Sequence, residues 1–182
     1  MDIRTTTALL AAGVTRYMLD LRCRPGGPWQ RLLPGVVLLA GGPPTRDQLV
    51  RAALLYVGVG AALTGVDALR VHGLDLPPPD RVHVLQPAGR RRAGNHRVLV
   101  ERTTRLPLAT VACPVRAAVD AARHDPDPLH QHYLLAKVVD AGLATVTELR
   151  TELEAGPRRG TAVPRAALRS LSTRPDLRAM TR

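Results

Sequence analysis

The sequence predicts an α+β fold, with several helices packed on a small sheet, and three observations carry that prediction. Thr45 with Gln48, and Thr145 with Glu148, have the spacing in which a hydroxyl accepts an amide at a helix start and the side chain three residues on returns the bond. Between the helical runs, Val82 and Val84 alternate with polar neighbours as strand residues do, and Arg97 to Thr103 follow the same pattern. Pro77, Pro78 and Pro79 and a set of well-placed glycines punctuate the chain, so the elements are short and numerous.

The opening segment reads as a helix from Thr5 to Ala12, a turn at Gly13, and a second helix capped by Thr15 and running to Arg22. Pro25, Gly26, Gly27 and Pro28 break it, and Trp29 to Leu39 form two short β-segments bent at Pro34 and Gly35. Helix, tight turn, helix and hairpin is the layout of a winged helix-turn-helix, which we assign to residues 1–42. On that reading Arg16, Arg22 and Arg24 face DNA from the second helix, and Arg31 follows the backbone near the wing. Leu9, Leu19, Trp29 and Val36 would form the small core. A solvated helix face accounts for Arg16 and Arg22 equally simply.

Residues 43–172 form the second expected domain, a small sheet with helices. The helix opened by Thr45 carries Leu49, Val50, Ala53, Leu54, Tyr56 and Val57 on most of its faces, so it reads as buried, and Gly58 and Gly60 end it. Thr64 is placed to cap a short helix closed by Gly73. The strands Arg81 to Gln86 and Arg97 to Thr103 are joined by PAGRRRAGNH. Arg90, Arg91 and Arg92, held between glycines, suit a phosphate clamp, because guanidinium groups bond phosphate oxygens in pairs; a solvated hairpin tip is the plainer alternative. Thr110 to Cys113 suggests a further short strand, and Pro114 opens a helix to Arg123. Asp127 starts another to about Gly142, with Leu129, Tyr133, Ala136 and Val139 inward. A helix from Thr145 to near Gly156 and a basic helix from Gly160 to Leu171 follow, and residues 173–182 have the composition of a frayed tail.

The 182 residues are 45% apolar but only 2% aromatic, so the core must be built from Leu, Val and Ala. The formal charge of +11 favours a polyanionic partner, since neutralised phosphates release counterions. That charge is concentrated: residues 81–105 and 158–182 carry +6 each, whereas 106–157 carry −3. With one Lys among 26 basic residues, an arginine-biased coding sequence would also produce such a total.

Enzymatic chemistry finds little to work with. Ser170 and Ser172 are the only serines and lie in no nucleophile elbow, and Lys137, the only lysine, is not in a phosphate loop. None of Glu101, Glu148, Glu152 and Glu154 precedes a lysine by two positions, so a Glu-x-Lys nuclease centre cannot be assembled. His124, Asp125, His130 and His132 are the best candidates for metal or acid-base work, but His130 and His132 point to different helix faces. His72 and His83 read as structural, and Asp67 and Asp120 as buried partners of arginines, Asp120 with Arg116 or Arg123. Cys23 and Cys113 suggest neither disulfide nor zinc. We expect no catalytic residue, no metal and no cofactor. Lacking a signal-like segment or an apolar run of membrane length, the chain is expected in the cytoplasm, away from membranes.

The runs GVTRYMLDLRCRPGGPWQRLLPGVVLL, AALLYVGVGAALTGVDALRVHGLDLPPPDRVHVLQP, VERTTRLP, CPVRAAVDAAR and ELRTELEAGPRRGTAVPRAAL, in that order, resemble the AbiEi-like antitoxins of type IV toxin-antitoxin systems. The likeness extends over about Thr7 to Leu168, with the LTG-x-x-AL-x-x-HGL run, the V-x-V strand and the D-A-A-R helix as its most specific part. The resemblance implies a winged helix-turn-helix ahead of an antitoxin-type α/β domain, and a transcriptional autorepressor that binds its own operator in double-stranded DNA. A toxin encoded nearby would be its second partner. Many relatives continue into a Vsr-like nuclease domain, which the resemblance implies is lacking after Arg182. The alternative is a protein-interaction module or a degenerate, non-catalytic remnant of such a nuclease-bearing relative.

Overall fold

The computed structural model describes residues 2–173, so all of the expected tail except Thr173 lies outside the described residues. The chain is α+β, with eight helices and two three-stranded sheets among those residues. It divides into two compact units: one holds the chain up to Leu63 together with Pro78–Thr110, the other Thr64–Pro77 and the chain from Val111 onward. The expected boundary between residues 42 and 43 therefore falls inside the first unit.

The first unit opens with β1 (Ile3–Thr5), α1 (Thr6–Ala11), α2 (Arg16–Arg22), β2 (Gln30–Leu33) and β3 (Val36–Leu38). The hydroxyls of Thr5 and Thr15 accept the amides of Ala8 and Met18 at 3.1 and 3.2 Å, which sets both helix starts. Gly13 and Gly35 take φ of +87° and +77°, values open mainly to glycine, in the interhelical turn and the Pro34-Gly35 hairpin turn. β1, not foreseen in the sequence, adds to the hairpin to give an antiparallel sheet in the order β1-β3-β2, with Ile3 and Gln30 both opposite Leu38. Leu9, Leu19 and Val37 form its core cluster, and Val14, Cys23, Trp29 and Leu39 pack against it. Val36 is buried as expected, at 2% exposure, while its neighbour Val37, facing the other way, is the one in this cluster.

α3 (Arg46–Val57) packs against β1, β2 and β3. Its capping box is complete, and the Gln48 side chain also reaches the Asp2 carboxylate, whose pKa it lowers. α3 is buried on one side only, through Ala52, Ala53, Tyr56 and Val57; Arg51 and Leu55 face solvent, against the expectation of burial on most faces. The helix also packs on β5 (Val82–Pro87), the middle strand of a second sheet ordered β4 (Ala62–Leu63), β5, β6 (Val98–Thr103). β4 is antiparallel to β5, but β5 and β6 are parallel, with Val82 opposite Val98 and Pro87 opposite Thr103. Residues 88–97 are thus a crossover that returns along the strands and not a hairpin tip. The expected strand at Thr110 to Cys113 is reduced to an isolated bridge at Val111.

The second unit is helical: α4 (Gly65–Val71), α5 (Pro114–His124), α6 (Pro128–Asp140), α7 (Val146–Ala155) and α8 (Ala162–Ser172). α5 touches all four others, and its run Arg116 to Ala122 is buried throughout. Four alanines in that run, at 117, 118, 121 and 122, let neighbouring helices approach on more than one side. The charge inside it is paired. Asp120, 1% exposed, accepts from Arg116 Nε at 2.7 Å and from the Thr64 hydroxyl at 2.8 Å, with Arg123 at 3.6 Å. Thr64, expected to cap α4, makes no cap bond because its hydroxyl serves Asp120 instead. Asp67 is buried as well.

The inward face of α6 keeps the expected Ala136 but otherwise differs from the expected one. Gln131, Leu134, Leu135, Ala136 and Val138 are buried, while Leu129 is 81% and Tyr133 50% exposed. Leu134, Leu135 and Val138 supply more branched aliphatic surface than the alternative stripe, whose aromatic member keeps its hydroxyl near water.

Candidate nucleic-acid interface

The arginines singled out in the sequence all belong to the first unit. Thr15 fixes the start of α2 and so puts Arg16 in its first position, exposed beside Tyr17. At the other end the Arg22 guanidinium lies 4.6 Å above the centre of the Trp29 ring, and the Trp29 amide donates to the Arg22 carbonyl at 3.0 Å. A Cβ on Gly27 would come within 2.4 Å of the Arg22 carbonyl oxygen, so the turn after α2 closes this tightly only with glycine there. That turn leaves Arg24 exposed. Arg31, on β2, pairs with Asp20 on α2.

These four residues therefore separate into two kinds. Arg22 and Arg31 are engaged inside the protein, one on a ring and one on a carboxylate, and they tie α2 to the hairpin. Arg16 and Arg24 are solvent-facing, and among the described residues neither side chain has an ion pair or hydrogen bond. Cys23 packs against the cluster of Leu9, Leu19 and Val37, and burial pushes its thiol pKa up.

Arg90, Arg91 and Arg92 are all exposed in the crossover between β5 and β6. The loop around them is firmly anchored. Gln86, 2% exposed, accepts the Arg92 amide at 3.1 Å and donates to the Arg92 carbonyl at 3.0 Å. The Arg92 guanidinium sits 4.8 Å above the Tyr56 ring, and the Tyr56 hydroxyl donates to the Ala93 carbonyl at 2.9 Å. Asn95 then accepts the amides of Arg97 and Val98 at 2.8 and 3.1 Å, leading the chain into β6. The side chains of Arg90 and Arg91 are exposed, with no ion pair or hydrogen bond among the described residues.

The α2 arginines and the triplet are carried by different sheets, and α3 packs on both. Sequence reasoning missed Gln86 and Tyr56, the residues that hold the triplet in place. Their signal was faint: Gln86 is the one amide in β5, and Tyr56 is the one aromatic in α3.

Three of the histidines meet a local oxygen. His72 Nε2 lies 2.9 Å from the Ala112 carbonyl, His124 Nδ1 lies 3.0 Å from that of Asp120, and His130 Nδ1 contacts the Asp125 carboxylate. His83 is buried beside Glu101, at 3.4 Å. Among the described residues no helix is long and apolar enough to cross a membrane.

No protein-family model and no curated protein matches the chain. Among solved structures it is similar to the crystal structure of the RV2827C protein from Mycobacterium tuberculosis, with a TM-score of 0.52 and 18% identity over 93% of this chain and 72% of that one. At that identity the likeness concerns the fold alone.

Proposed function

We propose that this chain is a DNA-binding, antitoxin-like transcriptional autorepressor of the AbiEi-like type IV kind, acting in the cytoplasm with duplex DNA as its partner. In this reading β1, α1, α2, β2 and β3 are a winged helix-turn-helix, whose element order and β1-β3-β2 pairing are consistent with that motif. The observation that carries the proposal is the pair Arg16 and Arg24, unpaired and solvent-facing at either end of α2. Arg22 and Arg31 then act chiefly by holding α2 against the wing, and Arg90 and Arg91 supply phosphate contacts from the second sheet. Phosphate contacts position a protein on the duplex, and base contacts from α2 select the site. The protein is a binding module, without a catalytic step or a cofactor.

The test is fluorescence anisotropy with the DNA upstream of its own gene, titrated with salt between roughly 50 and 200 mM. Affinity should fall steeply, and replacing Arg90 and Arg91 by Ala should flatten the slope by about one per lost phosphate contact. Arg16→Ala and Arg24→Ala should weaken binding to this DNA more than to a scrambled duplex. A salt-independent or absent signal defeats the proposal.

One observation favours a second reading as a protein-interaction module. Leu129 and Tyr133 stand exposed one turn apart on α6, within the acidic part of the chain. Co-purification with the product of an adjacent toxin gene, lost in Tyr133→Lys, would support it.

A further inference from the structure

The outward face of α2 carries two large apolar side chains, Tyr17 at 75% and Leu21 at 43% exposure. They stand four residues apart and so share one face of the helix. Leu19, between them in sequence, points the other way, into the cluster with Leu9 and Val37.

Charge decides what such a face can meet. Arg16 adjoins Tyr17, and Arg24 follows Leu21 just past the end of α2; both are exposed, and neither side chain has an ion pair or hydrogen bond among the described residues. The one carboxylate on α2, that of Asp20, is paired with Arg31, so the helix presents net positive charge. The exposed pair on α6, Leu129 and Tyr133, lies by contrast in a segment carrying −3. Two free guanidinium groups around an apolar pair suit a polyanion that also offers apolar surface. Duplex DNA does so in its major groove, where the thymine C5-methyl is the apolar group among the base edges and phosphates run along both sides.

The dimensions agree. Seven residues at about 1.5 Å each make α2 roughly 10 Å long, and a major groove about 12 Å wide admits an α-helix. Four residues of rise set Tyr17 and Leu21 about 6 Å apart along the axis. That is close to two base-pair steps of about 3.4 Å.

We infer that Tyr17 and Leu21 are the specificity-determining pair of α2, and that they read the C5-methyl groups of thymines about two base pairs apart in the operator. The inference rests on the DNA-binding reading and names what that surface recognises. The Tyr17 ring and the Leu21 side chain each cover one methyl, with Arg16 and Arg24 on either side of them.

The test is fluorescence anisotropy of the full chain with the DNA upstream of its own gene, prepared once with thymine and once with uracil in every thymine position. Uracil keeps the pairing and the phosphates and lacks only the methyl. Burying one such group changes affinity about fourfold, so the parent should bind the uracil duplex about tenfold or more weakly than the thymine duplex. Tyr17→Ser with Leu21→Ser should bind the two duplexes alike and keep the parent's salt slope, which reports phosphate contacts. Tyr17→Phe, which keeps the ring, should retain the preference for thymine. Equal, salt-dependent binding of both duplexes by the parent would overturn the inference and leave the repressor reading standing. A double Ser variant that keeps the full preference would overturn it as well, because the methyl is then sensed elsewhere or through DNA shape; if that variant also sediments as a smaller species than the parent, the face belongs to a second copy of the chain. Binding of neither duplex by the parent would defeat the repressor reading itself, and this inference with it.

Discussion

The side-chain amide of Gln86 is bonded to both backbone polar groups of Arg92, at 3.1 and 3.0 Å, so one buried side chain closes the base of the arginine loop. Backbone of this kind, outside helix and sheet, normally finds its partners in water. Here Gln86 occupies the place of a strand neighbour, and Tyr56 adds a bond to the next carbonyl.

Gln86→Leu should therefore destabilise the first unit by about 1 kcal/mol, because it removes two hydrogen bonds at a partly buried position. Gln86→Glu keeps an acceptor for the Arg92 amide but sets a carboxylate against its carbonyl, so its effect should be similar or larger. Trp29, the only tryptophan, lies in that unit and reports unfolding in urea. Loss of protection at the Arg92 amide in hydrogen exchange should accompany the change. Unaltered protection in Gln86→Leu would mean that the clamp is not what orders the loop.

In the second unit the equivalent point of dependence is Asp120. Arg116 is buried at 8% exposure, 2.7 Å from Asp120 and 3.7 Å from Glu152. Removing the carboxylate in Asp120→Ala takes from a buried guanidinium its 2.7 Å ion-pair partner and should cost about 3 to 5 kcal/mol. The double change Asp120→Leu with Arg116→Met should recover a large part of that loss, since an apolar pair carries no desolvation penalty. Urea unfolding followed by far-ultraviolet circular dichroism measures both. Equal destabilisation in the single and double variants would show that packing, not charge, sets the cost.

The rotation of α6 makes a third prediction. Leu134 is 1% exposed, so Leu134→Ala should cost about 2 to 5 kcal/mol through lost contact and the cavity left behind. Leu129 is 81% exposed, and Leu129→Gln should change stability by no more than about 0.5 kcal/mol. Thermal midpoints of the two variants decide between this face and the one expected from the sequence, which would reverse their order.

Local signals were legible in the sequence, and signals between distant segments were not. Both capping boxes formed as their spacing required, and Pro114 and Asp127 begin α5 and α6, because each needs only residues within one turn. Thr64 broke the same rule because its hydroxyl found Asp120, 56 residues away. The parallel pairing of β5 with β6 was hidden because alternation reports a strand but not its direction, and ten connecting residues are fewer than such crossovers usually need. At the candidate interface the exposed arginines could be read from composition. That Arg22 and Arg31 are held by Trp29 and Asp20, whereas Arg16 and Arg24 are free, required the hairpin's position.

The capping box of α7 makes the last prediction, one of pH. The Glu148 carboxylate accepts the Thr145 amide at 2.8 Å and the Thr145 hydroxyl at 2.7 Å, and these bonds, the backbone one foremost, lower its pKa below the ordinary glutamate value of 4.5. A depressed folded-state pKa means that the ionised form is favoured by folding. Its contribution is complete above pH 4.5, where the unfolded chain is ionised as well, and it is lost as pH falls through the lower folded value. Gln in this position can still accept the amide but does not titrate. The parent should thus exceed Glu148→Gln in thermal midpoint at neutral pH, and the gap should narrow steadily on acidification below 4.5. Parallel melts of the two proteins across that range measure it. A gap that stays constant or widens toward acid would show that the ionised carboxylate adds nothing to the cap beyond what a neutral acceptor supplies.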